Sequence, residues 1–233
     1  PRRFFASTAL RDITVPSCVE RIESGAFDGI GECEVRIDLD NPFLSTDGVA
    51  LYDKTGSILL SVLKPVSRYK VPDSCRIISD SAFKGMGSLR EVDLGQGVKE
   101  IGAYAFFRTS IEELICPSSL AKIGAKAFAS SKMREIRWNS ELEYIGEQAF
   151  ACTNIGSFPM PPSLVSLGPK AFWRTKISFE NQASSLKHTN DHLAITHGCL
   201  YEKRKDGLVL IECLSNERSC QIEPGTIEIG AEA

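Results

Sequence analysis

The stretch from Val98 to Phe172 is one sentence written four times. Val98-Lys-Glu-Ile101-Gly-Ala-Tyr-Ala105-Phe106 recurs as Leu120-Ala-Lys-Ile123-Gly-Ala-Lys-Ala127-Phe128. It recurs again as Leu142-Glu-Tyr-Ile145-Gly-Glu-Gln-Ala149-Phe150 and as Leu164-Val-Ser-Leu167-Gly-Pro-Lys-Ala171-Phe172. The phenylalanines step by 22 residues. A fixed period of this length constrains the fold more than any local helix or strand propensity, because it demands a stack of equivalent units. One such unit cannot bury its own apolar face, so neighbours must bury it for each other.

The columns of the repeat say which face is buried. Leu10, Ile13 and Val15 are matched by Leu89, Val92 and Leu94, by Ile111, Leu114 and Cys116, by Met133, Ile136 and Trp138, and by Ile155, Phe158 and Met160. The last two members of each set alternate with polar residues, the pattern of a short strand with one face inward. Stacked about 4.8 Å apart, the coils would turn the Phe column into an aromatic ladder. Gly102, Gly124, Gly146 and Gly168 share another column, which implies either a positive φ or a close backbone approach. Gly230 falls in the same column.

Two stretches break the period. One carries Asp47-Gly-Val-Ala-Leu-Tyr52, the turn Asp53-Lys-Thr-Gly56 and Ser57-Ile-Leu-Leu60. The other carries His197-Gly-Cys-Leu-Tyr201, the turn Glu202-Lys-Arg-Lys-Asp-Gly207 and Leu208-Val-Leu-Ile211. Apolar runs around a glycine-containing turn read as β-hairpins. They predict hairpin insertions over about 31–69 and 178–221, projecting from or extending a solenoid wall. Both ends of the sequence fall inside a repeat: Phe5 matches the Ala-Phe step, and Ile229-Gly-Ala-Glu-Ala233 stops short of the next Phe. Residues 1–233 therefore read as a single solenoid cut from a longer array.

The unit L-x-x-I-x-I-P-x-x-V-x-x-I-G-x-x-A-F, together with the interruption Asn41-Pro42-Phe43 and Asp47-Gly48-Val49, resembles the BspA-like, treponemal-type leucine-rich repeat. The resemblance implies a right-handed α/β-type superhelix with one short strand per coil of 22–23 residues, mostly β or irregular. Glu23 and Ser79 depart from it by replacing the column glycine, Glu32 by occupying an apolar strand position, and residues 178–196 fit it poorly. The family is often found on cell surfaces, adhering to host or extracellular-matrix proteins, so the resemblance implies a protein partner and a surface or secreted location.

Composition narrows the rest. A net charge of −3 in 233 residues gives no electrostatic reason to expect a nucleic-acid or anionic-membrane partner. The apolar runs, such as Ser57–Leu63, are too short to insert into a bilayer. The eight cysteines include no C-x-x-C pair. Cys75 and Cys116 fall in apolar columns and read as buried thiols, while Cys199 and Cys213 flank the second hairpin turn, near Cys220, where a disulfide is one reading. His188, His192 and His197, near Asp191 and Cys199, have no standard metal-ligand spacing. No catalytic, cofactor or metal residue is assigned.

The candidate binding residues come from the outward strand positions, expected to line the concave face. One column reads Asp12, Glu34, Glu91, Glu113, Glu135 and then Ser157. The next outward column contributes Arg36, Asp93 and Arg137 and varies elsewhere, with Thr14, Ile115 and Pro159. The acidic strip reads as a recognition surface for a basic patch, or as a solvated face balanced by nearby arginines. Trp138 reads as core; Trp173, Phe107 and Arg174 read as partly exposed. The favoured function is a non-catalytic protein-interaction or adhesion module. The alternatives are an intracellular scaffold on the same repeats, or a carbohydrate-active enzyme on a parallel β-helix whose carboxylates hold Ca²⁺. The single strand signature per coil weighs against the last.

Overall fold

A computed structural model describes residues 10–23, 25–27, 33–177, 190–213 and 221–230. In chain order the strands are β1 (Asp12–Val15), β2 (Glu34–Ile37), β3 (Leu44–Thr46), β4 (Ala50–Asp53), β5 (Ile58–Val62) and β6 (Arg68–Lys70). Then come β7 (Ile77–Ile78), β8 (Glu91–Asp93), β9 (Glu100–Ile101), β10 (Glu113–Ile115), β11 (Lys122–Ile123) and β12 (Glu135–Arg137). The last are β13 (Tyr144–Ile145), β14 (Ser166–Leu167), β15 (Leu193–Thr196), β16 (Cys199–Arg204), β17 (Gly207–Cys213) and β18 (Thr226–Ile229). They build a β-solenoid of stacked coils, and no helix occurs among the described residues.

Each regular coil has three sides. The first wall carries the strand read from the sequence: β1 pairs parallel with β2, β6 with β8, and β10 with β12. The second wall carries a further strand of two residues, ending on the Ile of Ile-Gly. Here β7, β9, β11, β13 and β14 follow one another in parallel register, which aligns Ile78, Ile101, Ile123, Ile145 and Leu167. Two residues cannot display an alternation, so the sequence pattern gave no sign of this wall.

The third side is a stack of turns. The amides of Phe106, Phe128 and Phe150 donate to the carbonyls of Ala127, Ala149 and Ala171, at 2.7, 2.8 and 2.8 Å. Tyr104, Lys126, Gln148 and Lys170 hold positive φ of 53–58°, and so do Arg108, Ser130, Cys152 and Arg174, at 55–58°. A left-handed non-glycine residue costs about 1–2 kcal/mol. In this turn it aims amides at the next coil: Tyr104 bonds Ala125 O at 2.9 Å and Arg108 bonds Ala129 O at 3.1 Å. The column glycines have another duty. A Cβ on Gly124 would lie 2.7 Å from Ala103 N, and one on Gly146 2.6 Å from Ala125 N. Of the two readings of that column, close approach is the operative one.

Inside, Phe83, Phe106, Phe128, Phe150 and Phe172 stack with centroid separations of 4.7–5.4 Å and interplanar angles of 14° or less. Trp138 meets Phe150, Phe158 and Phe172 edge-on. It is only partly buried, and its Nε1 is enclosed without a hydrogen-bond partner.

The first hairpin extends the second wall, and the second forms a separate four-stranded sheet with β18. β3, β4 and β5 form an antiparallel meander whose third strand runs parallel to β7. β15, β16 and β17 repeat this, with β17 parallel to β18. Both meanders also cross the core as partitions. Leu44, Leu51 and Leu63 pack with Val15, Phe27 and Val35 on one side, while Ala50, Tyr52 and Leu59 join the Phe83 side. In the second meander Leu193, Ile195 and Leu200 face the Phe ladder, whereas Ala194, Cys199, Tyr201 and Leu210 form a separate cluster. The antiparallel strands thus occupy 44–62 and 193–213. β2 and β6, inside the 31–69 stretch, pair as ordinary coil strands.

One buried asparagine seats each meander. Asn41 donates to Pro16 O and Val19 O and accepts from the amides of Phe43 and Leu44. Asn190 donates to Pro161 O and Leu164 O and accepts from the amides of His192 and Leu193. Lys54 and Lys203 each donate to the carbonyl of that asparagine at 2.6 Å. The same offset of 149 residues separates Asn41 from Asn190, Tyr52 from Tyr201 and Lys54 from Lys203.

Candidate functional site

The parallel register of the first wall decides which outward side chains become neighbours. Asp12 lies opposite Glu34, and Glu113 opposite Glu135. Glu91 lies opposite Arg68, not opposite an acid. The register thus gives three separate pairs, Asp12 with Glu34, Arg68 with Glu91, and Glu113 with Glu135, so one strand of this wall carries a cation where the others carry acids. Ser157 lies in no strand. The next outward column reads Thr14 and Arg36, then Lys70, Asp93, Ile115 and Arg137. Sequence reading misses Arg68 and Lys70 because the apparent insertion, drawn over 31–69, ends within the strand that carries them. The signal was available: Val71-Pro72 marks a strand end, and counting back places Arg68 and Lys70 in the outward columns.

Cations partly neutralise the strip. Arg68 Nε stands 3.0 Å from Glu91 Oε2, Lys70 Nζ 3.8 Å from Asp93 Oδ2, and Arg137 Nε 3.7 Å from Glu135 Oε1. Arg36 donates to Glu34 at 2.8 Å, and that hydrogen bond holds the Glu34 carboxyl below its ordinary pKa. All these groups are more than half exposed, so solvent screens each pair and leaves it a minor contribution to stability. Glu113 has no ion pair among the described residues. It borders a depression of about 440 Å³ also lined by Ser67, Arg68, Arg90, Glu91 and Glu112. Beside it Ile115 is 64% exposed between Asp93 and Arg137. An apolar side chain within a charged rim is the composition of a protein-contact patch.

The other candidates sit elsewhere. His192 is exposed, and His197 Nδ1 lies 3.2 Å from Glu223 Oε2; His188 lies outside the described residues. Among the described residues no group of three or more His, Cys, Asp or Glu is placed to hold a metal. Trp173 is exposed on the turn side with the Arg174 guanidinium 4.3 Å over its ring, and Arg108 covers Phe107 at 5.1 Å. The hairpins offer little surface: β4 and the first half of β16 are buried on both faces. Their exposed parts are the turns, at Lys54–Thr55 and Arg204–Asp206, together with Asp47, His197 and Cys213.

Residues 1–49 and 63–192 match the BspA type leucine rich repeat region, in six copies. No curated protein matches the sequence. Among solved structures, a leucine-rich repeat protein from Eubacterium ventriosum aligns at 15% identity and TM-score 0.51, covering 77% of this chain and 63% of that one. The pneumococcal vaccine antigen PcpA aligns at 19% identity and TM-score 0.50, covering 78% and 50%. A leucine rich cell surface protein from Faecalibacterium prausnitzii aligns at 16% identity and TM-score 0.50, covering 81% and 66%. The chain thus spans about half to two thirds of the length of these proteins, and likeness at this identity establishes the fold.

Proposed function

Because the chain belongs to the BspA-type leucine-rich repeat family, we propose that it is a non-catalytic adhesion module that binds a basic patch on a protein partner through the exposed face of β8, β10 and β12. The observation that carries this is the juxtaposition of Glu91, Glu113 and Glu135 on successive strands, with Ile115 exposed beside them. Clustered carboxylates repel one another, and a surface that served only to stack coils gains nothing from aligning them. Glu113 is the centre of the site, since it forms no ion pair among the described residues while bordering the depression shared with Glu91. The setting is a cell surface and the partner a host or extracellular-matrix protein. Support for that setting comes from the family and from the structural likeness to the F. prausnitzii cell surface protein.

The test is surface binding to candidate matrix proteins, comparing the parent with Glu91→Lys/Glu113→Lys/Glu135→Lys. Binding of the parent should weaken as salt rises toward 0.5 M, where the screening length falls to roughly 4 Å. The triple variant should lose at least tenfold in affinity at low salt, mainly through a slower on-rate. A folded variant that binds every partner as tightly as the parent refutes this face as the site.

A further inference from the structure

Cys199 and Cys213 are register partners at the base of the second meander, and their sulfurs stand 3.1 Å apart. Cys199 is fully buried and Cys213 is exposed. The first meander supplies an internal comparison. Its strands pair in the same way, and Ala50 and Val62 hold the positions that correspond to Cys199 and Cys213. Both of those residues are buried and apolar. Packing at this pair is therefore met by a small residue opposite a Val, and nothing in the fold asks for sulfur on both strands at once.

We propose that Cys199 and Cys213 form a reversible cross-strand disulfide that locks the second hairpin onto the last regular coil. A disulfide needs its sulfurs about 2.05 Å apart, so closure asks for roughly 1 Å of side-chain rotation across an existing strand pair. The oxidant is a low-molecular-weight disulfide such as oxidised glutathione. Cys213, the accessible thiol, loses its proton and attacks one sulfur, expelling one glutathione thiolate and forming a mixed disulfide. Cys199 then loses its proton and attacks Cys213 Sγ, expelling the second glutathione. Two protein thiols become one disulfide, and one glutathione disulfide becomes two thiols.

The lock acts through the neighbouring residue. Glu212, next to Cys213, accepts the backbone N–H of Lys170 with both carboxylate oxygens, at 2.9 and 2.7 Å. In the preceding coils the corresponding amides of Lys126 and Gln148 bond to carbonyls of the next coil, Glu147 O and Pro169 O. Glu212 therefore stands in for a coil, and a covalent tie between β16 and the end of β17 fixes it against Lys170.

The experiment exposes the native chain to oxidised glutathione and maps its peptides without reduction. The expected result is a Cys199–Cys213 linked peptide, the loss of two titratable thiols, and amide exchange at Lys170 and within 199–213 slowed at least tenfold. Dithiothreitol should reverse all three. The variant Cys199→Ala/Cys213→Val, which copies the first meander, should show none of these changes on oxidation. A linkage of either cysteine to Cys220, a mixed disulfide persisting at Cys213, or formation of the bond without slower exchange at Lys170 would overturn the proposal. Mapping of the parent alone decides the pairing even where the variant fails to fold.

Discussion

Phe128 is the most informative residue to remove. Its ring is fully buried and lies between Phe106 and Phe150, at 5.0 and 5.4 Å, nearly parallel to both. Truncating a buried Phe to Ala costs about 3–5 kcal/mol, the spread reflecting how far the surroundings collapse into the void. Collapse is hindered here. The Phe128 amide bonds Ala149 O at 2.8 Å, the Phe106 amide bonds Ala127 O at 2.7 Å, and neither coil can shift without breaking the turn stack. The expected loss for Phe128→Ala is therefore in the upper half of that range, about 4–5 kcal/mol. At about 2–4 °C per kcal/mol for a chain of this size, the melting temperature should fall by at least about 8 °C. A solenoid need not unfold in one step, so the assay is urea titration read by far-ultraviolet dichroism together with amide exchange. Exchange should rise in the coils on both sides of the defect. Phe107→Ala, one residue along and only partly buried, is the control and should cost about 1 kcal/mol or less. A Phe128→Ala chain within about 1 kcal/mol of the parent, or indistinguishable from Phe107→Ala, would show that the ladder does not hold the coils together.

Gly124→Ala should destabilise by about 1–3 kcal/mol through overpacking, because its Cβ would lie 2.7 Å from backbone atoms of the preceding coil, whereas Gly48→Ala, with open space around it, should cost only the left-handed backbone term; urea midpoints of the two variants give the comparison. Asn190→Ala leaves the buried Leu164 carbonyl and Leu193 amide without this partner, takes one hydrogen bond each from Pro161 O and the His192 amide, and should cost about 3 kcal/mol, and Asn190→Asp should be no better, since a carboxylate would face two carbonyls; thermal melts test both. Burial pushes the Cys116 thiol up to about 12 from an ordinary 9 and, as the larger influence on it, the Tyr52 phenol up to about 12 from 10. Both folded values are raised, so the stability these groups contribute is full below pH 9 and is lost as pH rises through about 12. Iodoacetamide at pH 8 should therefore label Cys18 and Cys152, which are exposed, and spare Cys116 until the chain unfolds.

The parts of this molecule that sequence made legible are those where every coil obeys the same constraint. The Phe column and the inward Leu, Ile and Val positions recur because each must face a copy of itself, and 22-residue spacing exposes that directly. The second wall was hidden because its strands are two residues long, below the length at which alternation exists. The Gly column was ambiguous because its two possible causes leave the same residue; the turn placed its positive φ on Tyr104, Lys126 and Gln148 instead. The strand pairing sets Asp12 beside Glu34 and Glu113 beside Glu135, whereas Arg68, opposite Glu91, is not legible in the column, because the insertion drawn to residue 69 cuts through the strand that carries it. The partition role of the hairpins had a sequence signal. Ala50-Leu51-Tyr52 and Cys199-Leu200-Tyr201 are continuous apolar runs, the mark of strands buried on both faces.

A wall of parallel strands limits what can be inserted into it. A strand pair added to such a wall would return the chain antiparallel to the next coil, and the Ile78-to-Leu167 register could not begin. Three strands restore the direction: β5 runs with β7, and β17 with β18. Both insertions are three-stranded meanders for that reason. The first strand of each is fixed by an asparagine that reaches into the preceding coil, and the third hands its carbonyl to the next, Leu59 O to Ser79 N at 2.9 Å and Leu210 O to Gly230 N at 2.7 Å. A polar seat at the entry and a parallel exit make the meander an interchangeable unit of the array. Residues free to differ between its two copies, such as Ala50 and Cys199, are then the places where a copy can acquire chemistry without disturbing the stack.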